Sequence, residues 1–130
     1  MTPPYEKLAA WERCHELALA VRKQTASWNE DRALSGQLKR ASFSAAANIV
    51  EGCTKRGPKE FRRYLDISLG SLSEVEYGLR FAVDAEILAR ADWEVINIVR
   101  RRAQGTTRQL YKAICNRIEM KKSKIPSPTS

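Results

Sequence analysis

Glu12-Arg13-Cys14-His15 places a carboxylate and an imidazole three residues apart. On a bundle helix that spacing is half of a di-iron carboxylate site, which also needs a second Glu-x-x-His and two further glutamates. His15 is the chain's single histidine, and identical copies could supply others only around a symmetry axis, so no metal is expected. A partly buried His15, hydrogen-bonded at a helix interface, is the better reading. Cys14 adjoins it, but neighbouring helical residues diverge and cannot act as nucleophile and base within one chain. Gly70-Ser71 lacks the Gly-Lys-Ser/Thr signature of a phosphate loop and reads as a place of close helix packing. Asn48, Glu51, Glu74 and Glu76 lie near apolar stripes. Buried there, they would need partners such as Arg40, Arg63 or Arg80. No catalytic constellation is complete, so neither an enzyme nor a cofactor is expected.

The cations offer more. The 130 residues carry 23 Lys and Arg against 15 Asp and Glu, a formal charge of +8. Lys39, Arg40, Lys55, Arg56, Lys59, Arg62 and Arg63 fall within one short stretch, opposed only by Glu51 and Glu60. Arg100-Arg101-Arg102 form a second group with Arg108 and Lys112, and Lys121, Lys122 and Lys124 a third. Such density suits phosphate neutralisation, because affinity for nucleic acid grows with the number of counterions released. Consecutive helical residues point about 100° apart, however, so the arginine triplet cannot all face one ligand. Tyr64, beside Arg62 and Arg63, is of a type that can stack a base. A solvated face that keeps the protein soluble is the competing reading.

Helices must position these groups. Leu8, Trp11, Cys14, Ala18 and Val21 recur at helical spacing and predict a helix over 5–25. A second is expected over 32–53, with Leu34, Leu38, Ala41, Ala45, Asn48 and Ile49 as its stripe. Its small residues around Ala41 to Ala47 predict the tightest packing seam. Gly57-Pro58 breaks the chain and opens a third helix over 58–85. There Phe61, Leu65, Ser68, Leu72, Val75, Leu79 and Ala82 step by four and three, while Tyr64, Ile67 and Phe81 lie off the stripe. A helix apolar on more than one side must be covered on more than one side. The fourth is expected over 93–120, capped by Asp92 and weakened at Gly105. Short connections make this an all-α, up-down-up-down antiparallel four-helix bundle over 1–120, with a disordered basic tail at 121–130.

No segment has the composition of a signal peptide or a membrane span. Cys14, Cys53 and Cys115 are odd in number and widely spaced, which suits small core residues in a reducing cytosol. A soluble, cytoplasmic protein is expected.

The run from Gln37 to Ser44, then Ala47-Asn48-Ile49-Val50-Glu51-Gly52, resembles the second-helix signature of a known family. Lys59-Glu60-Phe61-Arg62-Arg63-Tyr64-Leu65 and Gly70-Ser71-Leu72-Ser73-Glu74 are similar to its third. These are the four-helix-bundle proteins first noticed in intervening sequences of bacterial 23S ribosomal RNA genes. Accessory variability determinants of diversity-generating retroelements are more distantly similar. Departures are Ala46, where many members have proline, and Gly57-Pro58, where a serine often caps the helix. The resemblance implies a homopentamer with a basic surface, and its retroelement relatives bind nucleic acid and a reverse transcriptase. The expected partners are therefore further copies of the chain and RNA or DNA. The alternative is a structural or protein-interaction scaffold without nucleic-acid binding.

Overall fold

A computed structural model describes residues 3–123. After a 3-10 turn at Pro4–Lys7, four helices follow: α1 (Ala9–Thr25), α2 (Arg32–Cys53), α3 (Gly57–Asp84) and α4 (Arg90–Ser123). There is no strand among the described residues. Each helix packs on its sequence neighbours and α4 closes back onto α1, while the backbones of the diagonal pairs α1/α3 and α2/α4 stay farther apart. With connections this short, neighbours run antiparallel.

Two ends differ from the expectation. Pro3 and Pro4 favour a tight opening turn, so the first helix starts at Ala9 instead of Tyr5. Helix α4 is longer on both sides: Asp92 lies in its first turn, and Lys121 to Ser123 continue it. Lysines in a last turn interact favourably with the carbonyl end of the helix. The rest of the expected tail, including Lys124, lies outside the described residues. Helix α4 also passes through Gly105 without interruption, and α2 through Ala46.

The heptad stripe of α3 is the spine of the core. Leu65, Ser68, Leu72, Val75, Leu79 and Ala82 are all buried. The small-residue face of α2 meets it closely, and the Ser68 hydroxyl donates to the Ala45 carbonyl at 2.6 Å. Ser71, also buried, reaches the Ser44 hydroxyl at 2.9 Å. Polar atoms at such a seam remain satisfied without opening it. The glycine that permits the approach is Gly78, not Gly70. A Cβ on Gly78 would lie 2.5 Å from Leu38 Cδ2, whereas one on Gly70 would meet nothing within 4 Å.

The α3–α4 connection ends α3 in a Schellman motif. Ile87 donates to the Ala82 carbonyl at 2.8 Å and Glu86 to that of Val83 at 3.0 Å. Glu86 takes the left-handed position, at φ 61°, where glycine is usual.

Candidate functional site

Of the carboxylates named above, Glu51 and Glu60 are held by near neighbours in sequence, and among the described residues Glu74 has no ion pair. Glu51 pairs with Lys55 at 3.3 Å, Glu60 with Arg63 at 3.4 Å, and Arg80 with Asp84 at 3.0 Å. Arg40 binds Gln37, and Asn48 binds Ser44. Neither Arg40, Arg63 nor Arg80 reaches across to a neighbouring helix, because residues three and four apart are already within reach on one surface. The exception is Glu76, which meets Arg100 of α4 at 3.1 Å.

His15 is exposed rather than partly buried, and stacks on Trp11 with ring centroids 4.9 Å apart. Of the thiols, Cys14 is buried, and Cys53 and Cys115 are half-buried. Burial pushes the Cys53 thiol up, towards the neutral form.

The basic residues separate into three places. Lys39 and Arg40 are exposed midway along α2, roughly 20 Å from its end at ~1.5 Å per residue. Arg101 and Arg102 are exposed on α4, about 30 Å along the axis from Lys121 by the same rise. Because α2 and α4 sit diagonally in the ring, these two groups do not share a face. Arg100 turns inward, 7% exposed, and its guanidinium donates to Asn97, Glu76 and Gln104.

The third place is one pole of the helix ring. The antiparallel order brings the α2–α3 turn beside the end of α4, so residues far apart in sequence converge. Arg56, Lys59, Lys121 and Lys122 line one hollow of about 310 Å³. Lys55, Arg117 and Lys121 line an adjoining cleft of about 580 Å³. Lys55 is held by Glu51 and Lys122 by Glu119, at 3.3 and 3.6 Å. Among the described residues, Arg56, Lys59, Arg117 and Lys121 pair with no carboxylate. The hydrogen bond and charge of Glu51, with Tyr64 beside it, raise the Lys55 pKa and keep it charged.

Local sequence builds this pole. Gly57 adopts φ +80°, which lets the chain turn sharply into Pro58. No side chain caps the first turn of α3, and Arg56 and Lys59 stand at its positive end, where cations are disfavoured and anions favoured. Arg62 is half-buried on the same turn, and Arg63 is exposed. Tyr64 is not a free stacking face: Lys55 Nζ and Arg63 Cζ each lie 5.3 Å from its ring centre. The placing of Arg117 at this pole and the joining of Lys121 to the turn were missed from sequence. The signal was available, since an up-down-up-down order places the end of helix four beside the turn between helices two and three.

Residues 6–112 match the family model of the 23S rRNA-intervening sequence protein. The chain belongs to that family. A crystal structure of a protein with unknown function from the S23 ribosomal protein family of Bacteroides thetaiotaomicron is similar in fold. Its TM-score is 0.73 at 24% identity, over 79% of this chain and 98% of that one. No curated protein sequence matches this member of the family. Among the described residues, no helix is long and apolar enough to cross a membrane.

Proposed function

We propose that this 23S rRNA-intervening sequence family protein is a non-enzymatic, cytoplasmic, self-associating helical bundle that binds RNA or DNA electrostatically at its basic pole. The observation that carries the reading is the convergence of Lys55, Arg56, Lys59, Arg117, Lys121 and Lys122 from the α2–α3 turn and the end of α4. Among the described residues, only Glu51 and Glu119 pair with members of the group. A chain of phosphates against this surface would release counterions and relieve the cation crowding at the start of α3. Lys39, Arg40, Arg62, Arg63, Arg101 and Arg102 extend the positive field over the flanks. Arg100 supports α4 from within.

Self-association has its own support. Ile67, Tyr77 and Phe81 lie along one exposed stripe of α3, 47%, 70% and 47% exposed. Tyr77 and Phe81 open onto an apolar groove with Leu34 and Leu38. Large apolar surface in one place favours a protein neighbour, and a second copy, up to a pentamer, is the occupant proposed. Repetition of the pole in such a ring would give weak phosphate contacts avidity. The same stripe favours a protein-interaction scaffold as the second reading.

Fluorescence anisotropy of a labelled mixed-sequence RNA across a salt series tests the proposal. Each phosphate neutralised on a single strand contributes a slope of roughly 0.7 in log affinity against log salt. Replacing Arg56, Lys59, Lys121 and Lys122 together by alanine is expected to flatten that slope by about 2 to 3. Replacing Lys39 and Arg40 should flatten it by no more than about 1.4. An unchanged slope in the fourfold variant would overturn the site. Absence of binding at any salt would favour the scaffold.

A further inference from the structure

The cleft beside the α2–α3 turn is more than a charged patch, because its two sides differ in chemistry. Lys55, Arg117 and Lys121 stand at it as cations, while Leu8, Pro58, Phe61 and Met120 supply apolar surface. The 3-10 turn at Pro4–Lys7, the α2–α3 turn and the end of α4 all contribute walls. None of the lining side chains is a carboxylate, an amide or a hydroxyl. No side chain of the lining therefore repels a phosphate, and its strong hydrogen-bonding side chains are the three cations.

We infer that this cleft seats one terminal nucleotide of a single-stranded nucleic acid, with its end phosphate on the cations and its base on the apolar floor. The inference rests on the nucleic-acid reading above and adds where on the strand the protein takes hold. A volume of about 580 Å³ lies in the range of single small-ligand sites and is far too small for a duplex. A terminal monophosphate carries nearly two charges near neutral pH, where an internal phosphodiester carries one. Lys121 Nζ lies 3.9 Å from the place a Cβ on Gly57 would occupy. The glycine thus leaves its backbone open beside the ammonium, at the uncapped start of α3. An apolar floor accepts any base, so the preference is for an end and not for a sequence.

Anisotropy competition on the full-length protein at moderate salt tests this directly. The probe is a short labelled single strand, and the competitors are unlabelled strands bearing a 5′-phosphate, a 3′-phosphate or only hydroxyl ends. A phosphorylated end is expected to compete on the order of tenfold better than hydroxyl ends, and a blunt duplex less well than either. Arg117→Glu and Met120→Asp, both at exposed positions, should abolish the end preference. Arg101→Glu, with the same charge change as Arg117→Glu but outside the cleft, should weaken all strands alike and keep the preference. Circular dichroism confirms that each variant is folded. Equal competition by phosphorylated and hydroxyl ends, with binding itself intact, overturns this inference alone. Failure of any strand to bind overturns the nucleic-acid reading and this inference together.

Discussion

The guanidinium of Arg100 on α4 reaches Glu76 on α3, with Nη1 3.1 Å from Oε2, and only 9% of the arginine side chain is exposed. Asn97 and Gln104 accept its remaining hydrogen bonds on either side. Burial disfavours the charged form and lowers its pKa, while Glu76 opposes that shift. The side chain thus ties two helices together.

Truncating it should therefore affect folding more than binding. Glu76 is 55% exposed, which screens the pair and keeps the cost below that of a fully buried one. Arg100→Ala is expected to lose about 2 kcal/mol in urea unfolding, from charge-assisted hydrogen bonds and packed stem. Arg101→Ala, one residue on and exposed, should stay within about 0.5 kcal/mol. Equal losses in the two variants would refute the tie between α3 and α4.

Glycines on α3 give a second contrast. Gly78→Ala forces a methyl to within 2.5 Å of the Leu38 side chain, which is only 1% exposed and must shift to admit it. Overpacking of this kind costs about 1 to 3 kcal/mol. At Gly70 the new methyl meets nothing within 4 Å, so the gain in helix propensity, roughly 0.5 to 1 kcal/mol, should appear as added stability. Thermal unfolding of the two variants should move in opposite directions.

Much of this fold was legible from spacing alone. The α3 heptads reported its buried stripe because a helix that packs on one face must repeat its apolar residues every three or four positions. Gly57-Pro58 marked the α2–α3 turn within one residue, since proline removes a donor that only a first helical turn can spare. The site was less legible. Arg100, Arg101 and Arg102 read as one cluster in sequence, yet their angular spread turns Arg100 towards α3 and leaves the others exposed. Lys121 read as tail and belongs with Lys59, which is a fact of antiparallel packing and not of neighbourhood. Gly70 and Gly78 have the same composition signal, and only the position of Leu38 separates them.

Cys14 supplies a prediction in pH. Its thiol sits against the Thr107 hydroxyl at 3.4 Å between α1 and α4. Burial pushes the thiol up to about 11 from its ordinary 9.0, with the Thr107 hydrogen bond acting in the opposite direction. Below pH 9 the thiol is neutral in both folded and unfolded chains, and its contribution to stability is intact. As pH rises from 9 towards 11 the unfolded chain releases this proton while the folded chain retains it. Stability then falls with pH, and the loss approaches about 3 kcal/mol as the folded thiol begins to titrate. Lysines titrate in the same range, so the clean observable is a difference between two proteins. Cys14→Ala should be less stable than the parent near pH 8, because it leaves a small void. Its urea midpoint should then decline less steeply between pH 8 and 10.5. Parallel declines in the two proteins would show that the Cys14 thiol ionises as readily folded as unfolded.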